Sequence, residues 1–231
     1  MIKLSIIIPT LNAADALGAC MTHIGTGGEM VVEVIVSDGG SSDQTGAVAF
    51  DYGANVVLGP PGRGAQLARG ARKASGDWLL FLHADCQLPH DWPAVLSQHV
   101  QTRPDRAAAF RLRFRAAGAA PRLVAAWANL RSHLGLPYGD QALFISAPLY
   151  ARIGGYAALP LMEDVDIARR LKGKIRLLPA TITTSAQKYQ AEGWLRRGAK
   201  NLYLLARYML GADPRVLAKS YSATPDLSDE N

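Results

Sequence analysis

The feature that most limits what this chain can become is an alternation near its start. Three short runs, residues 4–8, 31–36 and 55–58, are β-branched and almost wholly apolar, as strands buried on both faces of a parallel sheet must be. Between them, residues 13–24 and 43–52 have the length of about three helical turns each. A further helix over 64–74 precedes an apolar strand over 78–83. Strand and helix taking turns across short connections favour right-handed βαβ units, hence an α/β fold.

Beyond Asp85 the pattern loosens. Helices are expected over 92–101 and 121–134, with strands over 109–114 and 142–145. In the first of these strands Phe110, Leu112 and Phe114 alternate with Arg111, Arg113 and Arg115, which predicts one wet face. A short charged helix over 162–171 and a longer amphipathic one over 192–210 follow. Residues 222–231 are polar and acidic and are expected to be disordered. With no repeat and no Gly/Ser linker, residues 1–221 read as one domain with two lobes, about 1–90 and 91–221.

No stretch approaches the roughly 20 apolar residues of a membrane span. Residues 4–8 end at Pro9 and read as a strand rather than a signal peptide. Cys20 and Cys86 have no partner at metal-ligand or redox spacing, so a reducing, cytoplasmic setting is expected. The total charge is +6, yet up to Gly62 one cation, Lys3, faces six acids, a net of −5 that leaves +11 for the rest. A phosphorylated ligand, a membrane surface or nucleic acid would each suit that basic remainder.

Four motifs carry chemistry. His83-Ala84-Asp85 directly follows a buried strand, where open α/β sheets bind ligands, and a carboxylate there suits Mg²⁺ or Mn²⁺ bridging two phosphates. Ser37-Asp38-Gly39-Gly40 follows the second strand, and its glycines admit a flat base or ribose; Ser42-Asp43 doubles as a helix cap. Gly62-Arg63-Gly64-Ala65-Gln66 sets a guanidinium at a helix start, a fit for a diphosphate. Met162-Glu163-Asp164-Val165-Asp166 opens a helix with acids. The helix dipole favours such acids for stability alone, but one of them could also accept a hydroxyl proton. Asp140 before a strand is a further candidate. Leu67 replaces the third glycine of G-x-G-x-x-G and no Walker sequence occurs, so neither a Rossmann dehydrogenase nor a P-loop nucleotidase is supported.

In order, Ile6-Ile7-Ile8-Pro9-Thr10-Leu11-Asn12, Ser37 to Asp43, Gly62 to Gln66 and Leu80 to Asp85 resemble glycosyltransferase family 2. The likeness is greatest to a short branch labelled arsenosugar-biosynthesis or radical-SAM/selenodomain-associated, which also shows Gly139-Asp140-Gln141, Pro160 to Asp164 and Thr184-Ser185-Ala186. The resemblance implies a GT-A fold with a Rossmann-like, mostly parallel mixed sheet flanked by helices. It implies an inverting, metal-assisted transfer of sugar from a nucleotide-diphosphate sugar to the hydroxyl of a small-molecule or lipid-linked acceptor, with no nucleic-acid partner. Pro9, Thr10, Asn12 and Asp38 would hold the nucleoside, and Arg63 and Gln66 the donor near its phosphates. His83, Ala84 and Asp85 match the D-x-D position, with Asp85 the metal ligand. Asp164 would be the base, with Glu163 and Asp140 as alternatives. Ala13, His83 and Gln187-Lys188-Tyr189 depart from the family's usual residues. Two other readings stand beside this one: a sugar-phosphate nucleotidyltransferase, and a non-catalytic nucleotide-sugar binder resting on a membrane through the basic helix 192–210.

Overall fold

A computed structural model describes residues 1–25, 27–28 and 30–222. Four parallel strands come first: β1 (Lys3–Thr10), β2 (Val31–Asp38), β3 (Asn55–Leu58) and β4 (Trp78–Phe81). They are linked by helices α1 (Ala14–Ile24), α2 (Thr45–Asp51) and α3 (Arg63–Ala71). Then follow α4 (Trp92–Thr102), β5 (Ala107–Phe114), α5 (Ala119–His133), a 3₁₀ turn (Gly139–Gln141), β6 (Leu143–Ser146) and α6 (Ala147–Arg152). The chain continues through α7 (Glu163–Arg170), β7 (Ile175–Thr184), α8 (Gln187–Glu192), α9 (Trp194–Met209) and α10 (Pro214–Ser222).

All seven strands form one sheet in the order β3-β2-β1-β4-β6-β5-β7. β6 runs antiparallel to both neighbours, and the remaining pairs are parallel. The central strands β1, β4 and β6 are buried on both faces along most of their length, whereas the edge strand β3, expected to be buried on both faces, is not: Val56 and Leu58 are 39% and 72% exposed. Leu4, Ile6 and Ile8 enter one cluster with Leu80 and Leu82, while Ile7 enters the other with Leu79 and Phe81. Helix α1 covers the first face with Leu17, Cys20, Met21 and Ile24, spaced one helical turn apart. A third cluster, with Met162, Val165, Leu204, Leu205 and Leu217, ties α7, α9 and α10 together beside the sheet.

On β5 the alternation holds: Phe110, Leu112 and Phe114 are buried while Arg111 and Arg113 are exposed. Other expectations change. The fourth strand stops at Phe81, so His83 to Asp85 lie in the loop beyond it. The amphipathic segment 192–210 is broken at Gly193, whose φ of +84° separates α8 from α9. The edge strand β7 was not anticipated. Pro179 lies where its pairing with β5 shifts register, the irregular edge position to which proline is confined in a sheet. Helices α6, α8 and α10 were also unforeseen. The expectation of disorder over 222–231 lies outside the described residues, apart from Ser222, which ends α10. Among the described residues no helix is long and apolar enough to cross a membrane.

Candidate active site

The carboxyl ends of β1, β2 and β4 meet on one rim, where register pairs Thr10 with Asp38. Asp38 is buried, and its carboxylate accepts bonds from the amides of Gly40 and Ser41, from Ser41 Oγ, and from Thr10 Oγ1 at 2.9 Å. Burial alone would raise its pKa, but the donations from Ser41, Thr10 and Gly40 prevail and hold the carboxyl below its ordinary value. Asn12, left-handed with φ +48°, accepts from the Ser42 amide, and its own amide donates to Ser41 Oγ. The β1 and β2 loops are therefore cross-stitched into one shelf. Ser42-Asp43 is not the cap proper, because α2 begins at Thr45; Asp43 instead accepts from the amides of Ala14 and Thr45 and serves the first turns of α1 and α2 together.

Gln66 explains how the shelf meets the next loop. It is buried, its Nε2 donates to the carbonyls of Thr10 (2.7 Å) and Ser37 (2.9 Å), and its Oε1 accepts from the Gly62 amide. With these partners inside the fold, Gln66 positions the loop rather than reaching outward. Removing it would break all three of these main-chain bonds, at about 1 kcal/mol each, although the Thr10 carbonyl also accepts from the Gly39 amide. Three residues earlier, Arg63 turns the other way, and its Nη1 lies 3.4 Å from Glu163 Oε1. Gly64 permits this: a Cβ there would sit 2.3 Å from the Ala157 carbonyl oxygen, so only glycine lets the 157–159 segment cross the start of α3.

That crossing delivers the acids of α7 into a cleft of about 190 Å³. Arg63, His83, Asp85, Asp140, Glu163 and Asp164 all line it, although they come from four separate loops and helix ends. Pro9, Thr10, Asn12, Asp38, Gln66 and Ala84 do not; the first five form the adjoining shelf, and Ala84 is buried between the two cleft residues beside it. Met162 enters α7 with a left-handed φ of +66°, backbone strain of the kind that gathers at functional sites. Asp164 Oδ2 accepts from the Gly139 amide at 2.9 Å, and Oδ1 from the Val165 amide. Gly139 also passes tightly against His83, since a Cβ on it would stand 2.4 Å from His83 Nε2. His83 is held neutral: burial, then Arg63 and Lys188, push its pKa well below the ordinary value.

Glu163 is 2% exposed, and burial together with the Asp164 charge pushes its carboxyl up to about 7 despite Arg63. Asp140 is pushed up to about 6 by burial, with Asp164 and Asp85 adding to it against the pull of Arg131. Its Oδ1 is buried without a hydrogen-bond partner. Because this pKa lies above the ordinary 3.8, Asp140 supports the fold fully below about pH 4 and loses that contribution as pH rises through about 6. Asp140→Asn should therefore raise the melting temperature at pH 7.5, by the equivalent of about 2 kcal/mol, and have little effect at pH 4. Equal melting shifts at the two pH values would refute this.

Sequence reasoning marked Tyr189 only as a departure from the family's usual residues and missed the rest of the far wall. Phe114, Tyr138, Tyr189, Arg197 and Tyr221 also line the cleft. Tyr189 stacks on Trp194 with ring centroids 5.0 Å apart, and Phe114 meets both edge-on. Arg197 is buried, bonding Glu192 and Tyr221 Oη, so α10 is fastened over this side. The one available signal was Arg197 itself, a cation on the apolar side of its helix. Cys20 and Cys86 are buried and free, and burial raises both thiol pKa values, which leaves them unreactive.

Among the described residues no three His, Cys, Asp or Glu side chains form a ready-made cation site. Asp85 nevertheless fits a divalent ion. Its carboxylate meets only the weak Cys86 thiol, and hard ions commonly take one or two carboxylates and complete their shell with phosphate and water.

Residues 5–152 match the glycosyl transferase family 2 profile, which covers the shelf, Arg63, His83 to Asp85 and Asp140. The chain belongs to glycosyl transferase family 2. A PGL/p-HBAD biosynthesis glycosyltransferase of Mycobacterium tuberculosis is 41% identical over 93 residues, 36% of each chain. Glucosyl-3-phosphoglycerate synthase of Mycolicibacterium paratuberculosis is 32% identical over 97 residues, 38% of this chain and 30% of that one. These matches thus span about a third of the relatives' own length. Among solved structures, S. aureus TarS 1–349 in complex with UDP superposes with a TM-score of 0.62 at 15% identity, over 79% of this chain and 60% of that one. Glucosyl-3-phosphoglycerate synthase from Mycobacterium tuberculosis, in complex with Mn²⁺, UDP and glucosyl-3-phosphoglycerate, superposes at 0.54 and 25% identity, over 80% and 70%. The family 2 chain therefore has the GT-A fold expected from its sequence, a mixed, mostly parallel sheet flanked by helices.

Proposed function

We propose that this family 2 chain transfers a sugar, with inversion, from a nucleotide-diphosphate sugar to an acceptor hydroxyl. The observation that carries the reading is the convergence of Arg63, Asp85 and Asp164 on one cleft from positions up to 101 residues apart. Residues of the first 90 make the donor side, with Pro9, Thr10, Asn12 and Asp38 shaping the shelf for the nucleoside. Arg63 faces the cleft beside the start of α3 and binds the diphosphate. Asp85 holds Mg²⁺ or Mn²⁺, which when bound neutralises charge growing on the departing diphosphate. His83, neutral, keeps a lone pair for the ribose or the ion. Asp164, fixed by the Gly139 amide, takes the acceptor's proton. The aromatic wall of residues 91–221 receives the acceptor.

The same observations favour the short arsenosugar or selenodomain-associated branch, since Gly139, Asp140, Leu161 to Asp164, Thr184 and Ser185 of its sequence pattern all line the cleft. The test is a screen of nucleotide-diphosphate sugars with Mn²⁺ or Mg²⁺ and mixed hydroxyl acceptors, read as nucleoside diphosphate released with glycosylated product. Pyrophosphate release from a nucleoside triphosphate and a sugar phosphate would favour a nucleotidyltransferase instead.

A further inference from the structure

A second, narrower groove opens off the cleft and is lined largely by apolar atoms of α5 and α9. Phe114, Tyr138, Asp140, Tyr189 and Asn201 belong to both hollows, so groove and cleft are continuous. The groove measures about 40 Å³ against about 190 Å³ for the cleft, too little room for a second sugar ring. Its outer walls are Trp127 of α5 and Leu202 of α9, 53% and 48% exposed.

These two residues belong to longer exposed apolar stripes. On α5 and just past its end, Leu123, Trp127, Leu130 and Leu134 recur at helical spacing; on α9, Leu195, Leu202 and Met209 recur every seven residues. Neither helix contains an Asp or Glu, and Arg122 of α5 and Arg196, Lys200 and Arg207 of α9 reach solvent, whereas Arg131 and Arg197 are buried. Apolar stripes among cations and without acids suit an anionic lipid surface. Gly198 lines the groove in the body of α9, and a Cβ built on it meets nothing within 4 Å. An alanine there would stabilise the helix by about 1 kcal/mol, so a bare position on this side of α9 is held at a cost to the helix.

We infer that the acceptor is lipid-borne: its aliphatic chain lies in the α5–α9 groove, which places its reactive hydroxyl beside Asp140 and Asp164. The inference rests on the glycosyl-transfer reading of the cleft. The test uses the full chain and n-alkyl β-glucosides of two to ten carbons below their micelle concentrations, with affinity measured by calorimetry. Affinity should rise two- to fourfold per methylene until the groove is full, fourfold being the value for a fully buried methylene. Gly198→Leu fills the groove and should flatten that dependence while keeping a cooperative melt. Leu202→Glu, a surface change at the mouth, should reduce it as well. An affinity independent of chain length in the parent protein, or an unaltered slope in a folded Gly198→Leu, overturns the inference. A chain-length slope without sugar transfer from any donor upholds the groove and counts against the transferase reading.

Discussion

Asp85→Ala should lower metal-dependent sugar transfer on the order of 10³-fold, equivalent to about 4 kcal/mol of lost transition-state stabilisation. Asp85 sits in the loop after β4, which pairs with β1 over Leu4 to Ile7, so its backbone is fixed by the most buried strands of the sheet. The other acid of that connection, Asp91 at the start of α4, does not line the cleft. Glu163 is engaged by Arg63, and Asp164 by the Gly139 amide. Removing the carboxylate thus removes the cation's protein anchor while the shelf around Asp38 remains. The measurement is the initial rate of nucleoside diphosphate release against Mn²⁺ or Mg²⁺ concentration, with nucleotide affinity followed by thermal shift. Loss of rate with nucleotide binding retained is the expected pattern. A variant with the parent's rate and metal dependence would separate Asp85 from the ion.

Most of the parallel half of the fold was legible because burial on both faces leaves apolar runs at β1 and β4 separated by helix-length stretches, while β3, read the same way, is an exposed edge strand. The second half was less so. β7 contains Pro179 and alternates weakly, since as an edge strand it needs neither an unbroken ladder nor two dry faces. The helix expected over 192–210 runs through Gly193, and α8 was missed, because Gly193 is a single residue whose positive-φ conformation no pattern announces. Within the site, the acids were visible through their places after strands and at a helix start. Gln66 was assigned to the donor by likeness, whereas its geometry makes it a clamp on Thr10 and Ser37. What could not be read from spacing was which elements cross. Gly64 and Gly139 mark two such crossings, but only the folded backbone shows that 157–159 and His83 are the segments they admit.

Asp164→Asn should lower kcat about 10²- to 10⁴-fold, the usual contribution of a positioned base, with little change in donor affinity. Asparagine is the discriminating substitution because its side-chain oxygen can still accept from the Gly139 amide, so the turn beside His83 is held while proton affinity is lost. Steady-state rates at saturating donor, together with calorimetric donor binding, separate the two effects. Each neighbouring acid would leave a different trace. Glu163→Gln weakens the ion pair with Arg63 and should raise the donor KM before it lowers kcat. Asp140 carries a buried oxygen with no partner and a pKa near 6, which also suits a base. If Asp164→Asn retained the full rate while Asp140→Asn lost it, proton removal would belong to Asp140. Asp164 would then be the group that orients the 139–141 turn and raises the proton affinity of that acid through its charge.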